Sequence, residues 1–331
     1  MRKNEVQLIA IAALAAAVAL VVIPMIVGPY GLRVATTVFM FIALAQAWNL
    51  IGGYAGLMSL AHAAFFGTGA ILTAIFLING VSLSLAAAAA IGISVLIAVA
   101  VGIPTLRLRG HYFVVATLLA TEAIRNLVIN LNAFKFNGGI AVNIISQVGL
   151  SAYSADAYNR IFFYIMAGCA LVSIAVSLCF EYSRWGLALR AVRDSERAAS
   201  ALGISAPNLK AGVFILSAFL TAAVGSVWAC WQGSVEANEA FSLSLTFEVI
   251  VMVLLGGRGT VVGPIVGVIL ILLLNEWLGV RFAEISQIVS GGIVIVVVLF
   301  QPDGLAKVFR GGWATLSPKT LRQNLMRYRV R

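Results

Sequence analysis

A chain of 331 residues is long enough for two ordinary soluble domains, but 62% of it is hydrophobic and only 10% charged, against about 45–50% apolar in a typical globular protein. That leaves too little polar surface for a water-facing globule, and 12 acids, two histidines and three cysteines leave few groups for acid/base, metal or nucleophilic chemistry. The net charge of +10 then reads as membrane topology rather than as a nucleic-acid surface, and the chain as an all-α, polytopic transmembrane bundle.

A membrane-crossing helix needs about 20 apolar residues, and about ten runs qualify, which places both termini on one side. The first, residues 6–27, follows Arg2 and Lys3 and exceeds an ordinary signal-peptide core, so it is read as a retained anchor. The second, 34–50, ends at Gly52-Gly53-Tyr54-Ala55-Gly56. Irregular backbone at membrane depth survives only when buried in protein or facing a wet cavity. Asn49, Gly52, Gly53, Gly56, Ser59 and His62 are therefore candidate pathway residues. A half-helix starting near Leu57 then points its positive end at a substrate carboxylate; a tight cytoplasmic turn is the other reading of the break.

Runs 57–78, 83–106 and 112–131 follow. The last carries Glu122 and Arg125 three residues apart, on one helix face. An isolated charge at mid-span costs about 2.5–3.5 kcal/mol on insertion scales, so the two are expected to pair, either to orient helices or to line a solute path. Residues 132–160 form an Asn-rich external loop before run 161–180, and 181–210 form a charged cytoplasmic loop before run 211–231. A short run ending at Leu255 meets a second break, Gly256-Gly257-Arg258-Gly259. The two Gly-Gly breaks lie about two hundred residues apart and hint at duplicated halves. Gly259, Gly263 and Gly267 share one face entering run 261–278, a small-residue stripe for packing inside the chain or against a second membrane subunit. Run 285–300 closes a transmembrane domain of residues 1–304. The basic tail, 305–331, is expected on the anionic inner leaflet.

Seventeen of the 22 basic residues fall on the side of the termini, which makes that side cytoplasmic. Cys169, Cys179 and Cys230 lie in apolar runs and are expected as buried packing residues. Trp228, Trp231, Trp277 and Trp313 sit near span ends, as an interfacial belt does. His62 and His111 have no nearby Cys, Asp or Glu and read as packing histidines rather than as metal ligands.

Within the charged loop, residues 190–203 form one expected amphipathic helix, capped at Asp194, with Glu196 in its first turn and Gly203 at its end. Leu189, Val192, Ala199 and Leu202 share one face; Arg190, Arg193, Asp194 and Arg197 take the other. Glu196-Arg-Ala-Ala-Ser-Ala-Leu-Gly203 is similar to the EAA loop of ABC-importer permeases. The chain more specifically resembles the LivM type of branched-chain amino acid permease. The matching segments are Asn49-Leu-Ile-Gly-Gly-Tyr-Ala-Gly-Leu-Met-Ser-Leu-Ala-His-Ala-Ala-Phe-Phe-Gly67, Leu106-Arg-Leu-Arg-Gly-His-Tyr112, Thr121-Glu-Ala-Ile-Arg125 and Gly256-Gly-Arg-Gly-Thr-Val-Val-Gly-Pro264. The resemblance implies a coupling loop in which Arg193, Asp194, Glu196, Arg197, Ala198, Ala199 and Gly203 meet an ATPase groove. It implies a homologous second permease subunit, two cytoplasmic ATPase subunits and an extracytoplasmic solute-binding protein, in a bacterial-type inner membrane. The solute is a branched-chain or other amino acid; similar systems carry urea, short amides and aromatic acids. The dipeptide Gly-Lys is absent, so this chain has no P-loop and no cofactor of its own; ATP and Mg belong to the partners. A proton-coupled secondary transporter using Glu122 and Glu248 is the competing class.

Overall fold

Apolar runs at membrane depth must close their backbone hydrogen bonds internally, which leaves the α-helix. The structure, a computed structural model, describes residues 26–108, 110–130 and 154–281, with 22, 24, 291 and 292 besides, and no β-strand occurs among them. The expected runs 6–27 and 285–300, the tail and most of the external loop lie outside the described residues. Helix α1 is Pro29–Asn49 and continues through a π-helical turn, Leu50–Tyr54; α2 is His62–Ile78, α3 Leu83–Thr105, α4 His111–Asn130 and α5 Ala155–Tyr182. The charged loop forms α6, Arg184–Asp194, and α7, Glu196–Ala201. Then come α8, Ala206–Gln232, the single turn α9, Ala237–Ala240, α10, Leu243–Gly256, and α11, Val262–Arg281. Among the described residues six segments are long and apolar enough to cross a membrane: Pro29–Tyr54, Leu83–Thr105, His111–Asn130, Asp156–Tyr182, Ala206–Gln232 and Ala237–Gly256. Two shorter apolar helices, His62–Ile78 and Val262–Leu278, accompany them.

Burial sorts the helices into a centre and a rim. From Met40 to Ala55 every residue is buried, because α1 packs along α5 and is also flanked by α8, α10 and α11. Helix α2, almost wholly buried, lies between α8 and α3. Such helices are apolar all round and show no sided pattern. On the rim, α3 buries only Ala86, Ala90, Ser94, Ala98 and Gly102, four residues apart. Helix α4 likewise buries Phe113, Thr117 and Thr121. Leu85, Leu96, Ile103, Val115, Leu119 and Leu127 point outward, as lipid-facing side chains do.

The crossing of α2 and α8 is backbone against backbone. A Cβ on Gly69 would strike the Ala222 carbonyl and one on Gly225 the Phe66 carbonyl, the close approach that small residues permit. Ser226 Oγ lies 3.2 Å from Gly69 O and 3.0 Å from Ala222 O. Trp228 packs on Phe66 with ring centroids 5.2 Å apart. Trp228 and Trp231 are only 6% and 8% exposed, so both belong to the bundle interior rather than to an interfacial belt: α8 is surrounded at that level. Trp277 is exposed, and Trp313 lies outside the described residues. Cys230 is buried, Cys169 half-buried and Cys179 exposed; Cys179 departs from the expectation because, among the described residues, no helix packs against its side of α5. At this end of the bundle Arg33 sits 5.8 Å over the Trp231 ring and the Tyr158 hydroxyl meets the Cys230 carbonyl. The charged loop occupies the opposite end.

Candidate functional site

The site begins where α1 stops being regular. In the π-helical turn Leu50–Tyr54 the amide of Ala55 reaches Leu50 O at 3.4 Å and that of Leu57 reaches Ile51 O at 3.0 Å. This wide turn leaves the Gly53 carbonyl for a donor from elsewhere. A side chain at Gly52 would strike the Trp48 indole, and one at Gly53 would strike both Asn49 and the Gly259 amide.

Helix α2 does not start near Leu57 but at His62, and the intervening chain is no tight turn. It dips back into the protein, where Trp48 Nε1 donates to Ser59 O at 3.0 Å, Leu60 N donates to Thr117 Oγ1 at 3.1 Å and Thr121 Oγ1 donates to Leu60 O at 3.1 Å. Non-helical backbone is tolerated at this depth because these side chains satisfy it. The Ser59 hydroxyl accepts from Ala61 N. His62 is 3% exposed, with Nε2 2.7 Å from Ser217 Oγ. The Ser217 hydroxyl spends its proton on Ala47 O at 2.7 Å, so His62 donates from Nε2, and its Nδ1 has no hydrogen-bond partner. His111 lies exposed at the head of α4. Among the described residues no three His, Cys, Asp or Glu side chains gather to hold a metal.

The second break meets the first. Helix α10 ends at Gly256, and Gly257 and Gly259 take φ of 118° and 75°, which favour glycine. Asn49 spans the gap: its Oδ1 accepts from Gly259 N at 2.8 Å and its Nδ2 donates to Thr260 O at 2.9 Å. One turn earlier Gln46 Nε2 donates to Val261 O at 2.7 Å. Two glycine breaks far apart in sequence thus form one joint. Gly263 and Gly267 face the chain's own α10, against the carbonyls of Gly257 and Met252.

The charged loop closes over this joint as two helices rather than one. Ser195 is extended, with φ −158° and ψ 106°, and its hydroxyl caps Ala198 N at 3.3 Å. Asp194 is therefore the last residue of α6, not a cap; Ser195 stands three residues before the amide that needs an acceptor. The break also turns α7, so Leu189, Val192 and Ala199 are buried while Leu202 is 79% exposed, against the single shared face expected. Gly203, at φ 81°, ends α7. Arg190 faces inward, donating to Glu181 O at 2.6 Å and Gly186 O at 3.2 Å. Arg193 lays its stem on Gly56 and donates from Nη1 to Gly53 O at 3.0 Å, beside Gly259. Its Nε lies 3.3 Å from Asp194 Oδ1. Glu196 pairs with Lys210 of α8 at 3.0 Å; Arg197 and Ala198 are exposed. The Glu181 carboxylate accepts from Val261 N at 3.0 Å. Gln46 and Glu181 were not legible as site residues. Gln46 sits in an apolar run, three residues before Asn49, and that spacing is its one signal.

Away from the joint, Glu122 and Arg125 meet at 2.7 Å on α4, and Arg125 also donates to Asn238 of α9 at 3.0 Å. Asn126 Nδ2 lies 3.2 Å from the same Glu122 oxygen. Glu248 is half-buried on α10.

A family model described as the permease component of the branched-chain amino acid transport system matches residues 30–298. The chain belongs to this permease family. The match takes in α1 through α11, and with them both breaks, the charged loop and the α4 ion pair. Among the permease relatives, the high-affinity branched-chain amino acid transport system permease protein LivM of Escherichia coli K12 is 29% identical, over 87% of this chain and 72% of its own length. LivM of Salmonella typhimurium is 28% identical over the same shares. LivH of Escherichia coli K12, a second permease protein of that name series, is 29% identical over 41% of this chain and 44% of its own length. No solved structure matches the chain.

Proposed function

We propose that this chain is a LivM-like permease subunit of an ABC importer, moving a branched-chain or other amino acid across a bacterial-type inner membrane. In this reading it works beside a homologous second permease, with ATP and Mg held by two cytoplasmic ATPase subunits and solute delivered by an extracytoplasmic binding protein. The family match over residues 30–298 carries the reading. The similarity to both LivM and LivH supports a paired permease, and the short helices beneath the joint suit a loop that rests on an ATPase.

Movement of the loop then opens and closes the chain at the joint. Asn49 and Gln46 hold the two breaks together when the cytoplasmic end is shut, and the glycines let the breaks part without side-chain collision. Co-purification from mild detergent tests the reading. A stoichiometric ATPase partner and ATP-dependent leucine uptake in proteoliposomes containing the binding protein are expected. Uptake by this chain alone, driven by a proton gradient, overturns it in favour of the proton-coupled class.

A further inference from the structure

The loop has two inward anchors, one on each break. At its start the Glu181 carboxylate holds the Val261 amide just after the second break. At the end of α6, Arg193 reaches the Gly53 carbonyl inside the first break. Asn49 ties the two breaks to each other. The route for Arg193 exists because glycine stands on both sides of it. Gly56 takes φ of 73° and its Cβ position abuts the arginine stem, while Gly259, at φ 75°, faces Nη1. The carbonyl it reaches is left free by the π-helical turn. The sequence pattern puts Arg193 on the outer, partner-facing side of the loop; in the structure the residue is exposed, yet its Nη1 reaches back to the first break and its side chain is only 32% exposed.

From this geometry we infer that Arg193 is a positioning residue that transmits displacement of the loop to both helix breaks at once, from within the chain, and is not a contact to the ATPase. A side chain held at its tip by a backbone carbonyl beside Gly259, and along its stem by Gly56, has little slack, so α6 moves only with the joint. The guanidinium fork suits this role: one N–H engages Gly53 O while Nε engages Asp194, a division a lysine ammonium cannot copy at the same reach. The inference rests on the importer reading, and its test separates the two.

The test uses the whole complex with its ATPases, comparing solute moved per ATP hydrolysed. Arg193→Gln is expected to keep wild-type ATPase stoichiometry and near-wild-type hydrolysis, while solute per ATP falls about tenfold, within the usual range of coupling between sites. Arg193→Lys restores part of that ratio. Gly259→Ala leaves Arg193 intact but sets a Cβ 3.1 Å from Nη1 at a positive φ; it is expected to uncouple likewise, so misfolding of one variant leaves the others to decide. Wild-type solute per ATP in Arg193→Gln or Gly259→Ala overturns the inference. So does loss of the ATPase from the Arg193→Gln complex, which makes Arg193 a partner contact. Failure of the wild-type chain to bind any ATPase instead overturns the importer reading beneath it.

Discussion

Asn49 shows what one residue's chemistry reveals and what it withholds. Its place before a Gly-Gly break marks it from sequence, since a carboxamide in an apolar run needs partners. Its partners, the Gly259 amide and the Thr260 carbonyl, lie 210 and 211 residues away, and no periodicity encodes a pairing across that distance. Ser195 is the converse case: two adjacent residues, Asp194 and Ser195, both make good caps, and only the backbone turn decides between them. The Glu122–Arg125 pair is a local feature, legible from spacing alone, but the Asn238 contact that extends it is not. Here the prediction is a fold-yield test. Glu122→Gln and Arg125→Met should each lower the yield of folded protein, because each leaves its partner charge uncompensated in a span, and the double variant should recover it. Detergent size-exclusion yield is the measurement; single variants that fold as well as wild type remove the pair's structural importance. Normal uptake by the recovered double variant assigns the pair to helix orientation, and folded but inactive protein assigns it to the solute path.

At the scale of elements, the rim helices were readable and the central ones were not. Helices α3 and α4 keep one buried stripe every four residues, whereas α2 and the part of α1 from Met40 onward are enclosed and erase any such pattern. The sequence break at Gly52 also hid a continuation: the helix widens into a π turn through Tyr54 before it ends. The charged loop reads as one helix because its face pattern ignores backbone direction at Ser195. In the two-helix arrangement Glu196 is tied to Lys210 at the start of α8, so a charge reversal there first breaks an internal pair. Glu196→Lys should therefore insert normally but lose solute uptake, as two cations repel where α7 meets α8. Lys210→Glu added to it should restore uptake substantially. Absence of any rescue in transport assays means Glu196 acts on a partner, not on Lys210.

For the whole molecule, charge distribution predicts an orientation and the fold supplies the two ends to probe. Ser200 and Ser234 are both exposed and flank α8, whose 27 residues span about 40 Å at 1.5 Å per residue. In a background with Cys169, Cys179 and Cys230 replaced, an impermeant thiol reagent applied to intact cells should label Ser234→Cys and spare Ser200→Cys; the reverse pattern inverts the topology. The joint between the breaks also bears on how the protein is made. Gln46 and Asn49 emerge early in translation, yet the carbonyls they bind, at Val261 and Thr260, are 215 and 211 residues downstream. At about 5–20 residues per second the ribosome takes roughly ten to forty seconds to supply them. Throughout that interval two carboxamides of the nascent chain wait in or near the lipid without their final acceptors. A chain truncated before Thr260 lacks both of these acceptor carbonyls, so its two carboxamides stay without the partners that the finished fold gives them.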